Sequence, residues 1–286
     1  MPPFTAFLPW AMALCALLAL SAAVIALQGK LLFGRTWVIR RTDPGPAAAR
    51  RRNEAVWLAR PGGVQLQGWL TVPLDAAPRR LLLWFGGRNE NVAWTPDLAG
   101  WLPDDCALLA FNYRSLGASG GWPSEAACVA DGEAAADWAL ARLALPSQAL
   151  HLAGRSLGTG VAMQLAARRA AADRPVASVA LITPLKSLRA VLRRNPLLAP
   201  LTPWLRSPLD SLAAARALNC EVLVLLAEHD TQVPHAHSHT LVQALRGAGS
   251  AVTVHQLAGT NHRSLARTPA AMRHLGGWLL EDSAAP

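Results

Sequence analysis

Ser156, Asp230 and His262, in that order along the chain, carry the functional groups of nucleophilic acyl transfer. A serine hydroxyl is a weak nucleophile at neutral pH. It attacks a carbonyl only when an imidazole takes its proton, and the imidazole needs a carboxylate to hold its tautomer. Ser156 lies in Gly154-Arg155-Ser156-Leu157-Gly158, which fits G-x-S-x-G. The glycines suit a tight turn with a strained serine at its apex. Such a pattern often arises by chance, so its surroundings decide its weight. Asp230 precedes Val233-Pro234, and His262 sits in a small-residue stretch, 258–264, which predicts a loop with a mobile imidazole.

Plainer uses compete with each residue taken alone. Ser156 or His262 would serve as a helix cap, and Asp230 as a turn cap. His229, His235, His237 and His239 are rival histidines, but they crowd around the acid and come too early in the chain. On a helix, only His235 and His239 of the last three share a face. No carboxylate or cysteine completes a metal set with them at sensible spacing, so no metal is expected. Glu228 is a rival acid two residues before Asp230, expected to point elsewhere.

These residues need positioning elements, and the chain supplies them. Residues 149–153 form a short apolar run ahead of Ser156, and residues 161–167 follow it as a good helix former, so the motif joins strand to helix. Residues 55–74 read as two strands around Pro61-Gly62-Gly63, the second alternating as a half-exposed strand does. Residues 81–85 form a buried strand ending in Gly86-Gly87-Arg88-Asn89. Residues 92–101 read as helix, 107–113 as strand, 124–143 as helix capped by Ser124, 176–182 and 221–227 as strands, 235–246 as helix, 251–257 as strand and 264–280 as a final helix. Strands alternating with helices predict right-handed crossovers and a mostly parallel sheet, whose active site lies at the carboxyl ends of the strands. The ends at Gly86–Asn89, Ser156 and Asp230, with the His262 loop, then converge. An oxyanion requires two backbone donors: the amide after the nucleophile, Leu157, and one from the loop after the buried strand, for which Arg88 is chosen.

Residues 186–218 interrupt the alternation with Pro196, Pro200, Pro203 and Pro208 among leucines and arginines. Two readings stand: a short helical cap with Trp204 and leucines facing the site, or a covering excursion with no substrate role. At the other end, Phe4–Leu27 carries no charge, and as a helix would be about 36 Å long, enough for a ~30 Å hydrocarbon core. It has no Lys or Arg before it, as a signal peptide would, and its apolar run is longer than a signal peptide's, so a retained single membrane anchor is expected. Basic residues follow it: Lys30, Arg35, Arg40, Arg41 and Arg50–Arg52. The positive-inside rule puts the domain in the cytoplasm, with an exported domain as the alternative. The Arg50–Arg52 cluster would suit anionic headgroups.

The chain of 286 residues is 52% hydrophobic, enough for one sizeable core. Its net charge of +9 comes almost wholly from scattered arginines, with no basic stripe interleaved with aromatics, which argues against a nucleic-acid partner. Cys15 falls in the apolar segment; Cys106, Cys128 and Cys220 stand singly, as small buried hydrophobes rather than a disulfide or zinc framework.

The whole resembles the α/β-hydrolase superfamily. More closely it is similar to its membrane-anchored BEM46-like group (ABHD12/ABHD13-type, serine aminopeptidase-like). The resemblance spans residues 54–280. It rests on residues 82–88, 112–120 and 154–162, on Asp230 before Val233-Pro234, and on Asn261-His262. An N-terminal anchor is typical of that group. Two departures stand out. Gly86-Gly87-Arg88 replaces the group's His-Gly-Asn, and Ser115 replaces the first Gly of its Tyr-Arg-Gly-x-Gly-x-Ser. The Arg114 beside it is expected to find an acid such as Asp131.

The resulting expectation is an α/β-hydrolase fold: a mostly parallel central sheet with helices on both faces, a short cap and an N-terminal hydrophobic helix. The organisation is anchor and juxtamembrane segment (1–41), linker (42–53), and hydrolase domain (54–286) with the cap insertion at 186–218. The expected function is a serine hydrolase of ester, thioester or amide bonds, esterase-like rather than peptidase-like, acting on an acyl or lipid-like ester with no cofactor. A peptidase would need a carboxylate for the substrate amine, and none is identifiable. The alternative is a non-catalytic membrane-tethered scaffold that binds a lipid or protein.

Overall fold

A computed structural model describes residues 8–34, 48 and 50–281. The strands are β1 (Arg51–Arg60), β2 (Val64–Pro73), β3 (Arg80–Phe85), β4 (Cys106–Phe111), β5 (Leu150–Arg155), β6 (Ser178–Ile182), β7 (Glu221–His229) and β8 (Val252–Asn261). The helices are α1 (Leu8–Phe33), α2 (Glu125–Arg142), α3 (Leu157–Ala170), α4 (Leu188–Leu192), α5 (Ser211–Ala215), α6 (His235–Gly247) and α7 (Pro269–Glu281).

All eight strands form one sheet in the order β1-β2-β4-β3-β5-β6-β7-β8. β1 pairs antiparallel with β2 and β2 with β4; every later pairing is parallel. The chain leaves β3 for β4 on one side and returns to β5 on the other. This reversal opens a crevice beyond the carboxyl ends of β3 and β5, with Phe85 paired to Gly154.

The continuous apolar strands are explained by cover on both faces. Leu81, Leu83 and Phe85 pack with Leu152, Val161 and Leu165 on one side, while Leu82 and Trp84 pack with Met272, Leu275 and Trp278 on the other. β2 departs from its half-exposed reading for the same reason. Gln67 and Trp69 are as buried as Leu66 and Leu70, because a 3-10 helix at Val92–Trp101 lies over the face that Trp69 occupies. Pro96 inside that segment has no amide to donate to an α-helical ladder.

Other boundaries also shift. β1 begins at Arg51, inside the stretch read as linker, and buries that side chain: the Arg51 guanidinium donates to the carbonyls of Leu102, Pro103 and Cys106. Arg50 pairs with Asp75. Of the cluster expected to meet headgroups, Arg51 is thus spent inside the protein, while Arg50 and Arg52 stay exposed. The final helix is two pieces, a 3-10 turn at Leu265–Arg267 and α7, which starts at Pro269 with Thr268 accepting from the Ala271 amide. α1 runs on to Phe33, past the predicted end at residue 27; residues 4–7 lie outside the described residues. No single helix among the described residues is long and apolar enough to cross a membrane. Met12–Val24 and Leu27–Phe33 together meet the length and composition test, but with a 52° bend between them.

Candidate active site

Ser156 sits between β5 and α3 with φ 51° and ψ −117°, a strained backbone that points its side chain out of the turn. The flanking glycines are sterically required. A Cβ on Gly154 would stand 2.4 Å from the Gly158 carbonyl oxygen, and one on Gly158 would stand 2.2 Å from that of Phe85. The second contact draws α3 against the end of β3.

The structure brings the three predicted residues together. Ser156 Oγ lies 2.8 Å from His262 Nε2, and His262 Nδ1 lies 2.8 and 3.0 Å from the two Asp230 oxygens. A carboxylate only accepts, so Nδ1 carries the hydrogen and Nε2 of the neutral ring is left to accept from Ser156. Asp230 also accepts from the Gln232 and Val233 amides. Burial pushes its pKa up, but the bond from His262 together with these amides outweighs it, and the carboxyl is held below its ordinary value.

The histidine is not on a loose loop. β8 continues through Asn261, past a bulge opposite Ala227 and His229, and the Asn261 side chain accepts from the Arg263 and Ser264 amides. The His262 side chain is almost wholly buried. The rivals are placed elsewhere. Glu228 accepts from the Gly259 amide, and the His235 ring contacts the Ala227 carbonyl.

The loop after β3 has a defined pattern of amides. Gly87 N–H donates to Glu90 Oε2 at 2.6 Å, and Asn89 N–H to the Phe33 carbonyl at 3.0 Å. Between them the Arg88 amide has no acceptor among the described residues. The Leu157 amide, first in α3, has no intrahelical acceptor by helix geometry. These are the two amides chosen from the sequence.

Sequence reasoning missed Glu90 and passed over Arg155. Glu90 is buried and accepts from Gly87 N–H, Trp94 Nε1 (2.8 Å) and Arg155 Nη1 (2.7 Å). Arg155 also reaches the His262 and Arg263 carbonyls at 3.5 and 3.4 Å. One ion pair therefore ties together the loop after β3, the serine turn and the histidine segment. The available signals were a lone glutamate three residues beyond Gly87 and an arginine inside G-x-S-x-G. Arg114 pairs with Asp131 as expected, and the structure shows the pair to be bidentate. Ser115 adopts φ 64°, the left-handed region for which the resembled group carries glycine.

A cavity of about 750 Å³ opens onto Ser156 and His262. The 186–218 segment supplies much of its wall, including Leu188, Leu192, Leu201 and Trp204. Among the described residues, no carboxylate lines it.

Residues 124–284, from the cap of α2 through α7, match the family described as the prolyl oligopeptidase family. The chain belongs to that family. An uncharacterized protein of Mycobacterium tuberculosis is 29% identical over 183 residues, covering 64% of this chain and 63% of its own, so the match spans less than two thirds of that relative. The α/β hydrolase domain-containing protein WAV2 of Arabidopsis thaliana is 25% identical over 77% of this chain and 76% of its own. Lysophosphatidylserine lipase ABHD12 of Xenopus tropicalis is 28% identical over 57% and 47%. Among solved structures, a Pyrococcus furiosus esterase superposes with TM-score 0.63 at 15% identity, covering 80% of this chain and 91% of its own. Porphyromonas gingivalis dipeptidyl peptidase 4 does so with TM-score 0.64 at 15% identity, covering 81% and 36%. At those identities the likeness speaks to the fold, and this family member has the α/β-hydrolase fold.

Proposed function

We propose that the protein is a serine hydrolase of long-chain acyl esters. The observation that carries the reading is the Ser156–His262–Asp230 hydrogen-bond chain opening into an apolar cavity. Ser156 Oγ attacks the ester carbonyl carbon as its proton passes to His262 Nε2. Asp230 keeps Nδ1 protonated and stabilises the imidazolium. The carbonyl oxygen becomes an oxyanion, which accepts from the Leu157 and Arg88 amides. Collapse breaks the bond to the alcohol oxygen, which takes the proton from His262. Water, deprotonated by the same nitrogen, then attacks the acyl-enzyme and frees the acid and Ser156.

The cavity wall favours an ester with an apolar acyl group over a peptide amine, which would want a carboxylate partner. The distant similarity to WAV2 and to the lipase ABHD12 supports placement near the BEM46-like group. The apolar first half of α1, with Trp10, Met12, Leu14 and Leu20 exposed, supports attachment to a membrane, with the domain on the cytoplasmic side by its basic flank. Flotation with liposomes tests the attachment, and protease accessibility in intact cells tests the side.

The decisive test pairs wild type with Ser156→Ala. Wild type is expected to react with a fluorophosphonate probe and to hydrolyse p-nitrophenyl esters. The variant should lose labelling and roughly 10⁶-fold in kcat. Unchanged labelling in the variant would sink the assignment. Faster cleavage of aminoacyl p-nitroanilides than of any ester would overturn the ester preference.

A further inference from the structure

The second half of α1 lies against the active site. Ser21, Val24, Gln28, Leu31 and Leu32 line the same cavity as Ser156 and His262. The fit is close. A Cβ on Gly29 would stand 2.0 Å from the Pro123 carbonyl oxygen, and Phe33 is fully buried edge-on to Tyr113, with ring centroids 5.6 Å apart. Tyr113 in turn donates to the Gly86 carbonyl at 3.0 Å. The Lys30 ammonium stands 3.7 Å from the centre of a Trp122 ring.

Polar contacts tie the helix to both sides of the cavity. Gln28 Oε1 accepts from the Arg206 amide at 2.7 Å on the cap side. At the end of α1 the Leu31 carbonyl, which lacks a helical donor there, accepts from Arg88 Nη2 at 2.9 Å, and the Phe33 carbonyl takes the Asn89 amide. The helix therefore holds the loop on which the Arg88 amide is carried, and faces the cap across the cavity.

We propose that α1 is the specificity wall of the acyl site: a long acyl chain esterified at Ser156 runs between α1 and the cap, and Val24 bounds its far part. This rests on the serine-hydrolase reading for the reacting end of the chain. The ligand chemistry follows from the wall, where Leu31, Leu32 and Val24 face Leu188, Leu192 and Leu201 with no charge but the Arg88 side chain at the reacting end. A bulky residue at position 24 should then exclude distal methylenes and leave room for a short acyl group.

The test compares Val24→Trp with Ala22→Trp, whose site on α1 is exposed and outside the cavity. One arm measures the ratio of kcat/KM for p-nitrophenyl palmitate to that for p-nitrophenyl butyrate. The other measures binding of the fluorescent fatty acid cis-parinaric acid in a Ser156→Ala background, which requires no turnover. Excluding two or more methylenes predicts at least a tenfold fall in the ratio and a similar weakening of binding for Val24→Trp, with neither change for Ala22→Trp. An unchanged ratio and unchanged binding in Val24→Trp overturn this inference and leave the hydrolase reading intact. No ester hydrolysis by the wild type, with fatty-acid binding shifting as stated, overturns the hydrolase reading and leaves the acyl wall standing.

Discussion

Glu90 is the position where stability and catalysis should separate most cleanly. Its carboxylate is buried and receives three donors: the Gly87 amide, the Trp94 indole and the Arg155 guanidinium. Glu90→Ala leaves the Arg155 charge, itself largely buried, without its carboxylate partner. Removing one partner of a buried pair costs about 3–5 kcal/mol. For a domain of this size that corresponds to a fall in Tm of ~10 °C. The Gly87 amide also loses the acceptor that fixes the loop before Arg88. A misplacement of about 1 Å at an oxyanion donor costs on the order of 10²-fold in kcat. The double variant Glu90→Leu/Arg155→Met removes both charges. Replacing a buried pair by apolar groups is often neutral, so Tm should recover to within ~3 °C, while kcat stays low because Gly87 is still unheld. Thermal unfolding and p-nitrophenyl butyrate kinetics on the three proteins decide it. If kcat recovers along with Tm, Glu90 acts through stability alone. If Glu90→Ala changes neither, the Glu90–Arg155 pair has no energetic content and the reasoning fails.

Two further substitutions probe neighbouring parts of the site. Asp230→Asn should lower kcat by about 10⁴-fold, since the amide no longer enforces the Nδ1–H tautomer. The Asp230 pKa is depressed in the folded state, so its contribution to stability is full above the unfolded value of about 3.9 and is lost as pH falls through the folded value. The stability difference between wild type and variant in urea should accordingly shrink below about pH 4, and a difference that grows with acid would contradict the assignment. Gly158→Ala puts a methyl against the Phe85 and Gly86 carbonyls, backbone atoms that cannot rotate away. It should cost about 1–3 kcal/mol by overpacking and reduce kcat with little effect on KM; full activity at unchanged Tm would show that the elbow and the β3 loop can separate freely.

The sequence by itself determined the succession of elements along the chain: apolar runs of strand length, glycines two residues either side of Ser156, and an acid and a histidine each following a later strand. These are local patterns. Burial of a parallel sheet on both faces makes its strands continuously apolar, and a turn as tight as that at Ser156 admits only glycine at Gly154 and Gly158, so both leave marks that need no knowledge of distant contacts. The tertiary structure decided what depends on pairing across the chain. Arg51 looks like a surface cation in sequence and is an internal donor, because its strand turns it beneath the carbonyls of Leu102, Pro103 and Cys106. Glu90, in the loop after β3, and Arg155, at the end of β5, meet only once those strands are neighbours. The composition of α1 suggests an anchor and carries no sign of which face meets a partner. Only its packing on Pro123, Tyr113 and the Arg88 loop makes its second half a wall of the cavity, since that placement is set by the fit of surfaces far apart in the chain rather than by any pattern within the helix.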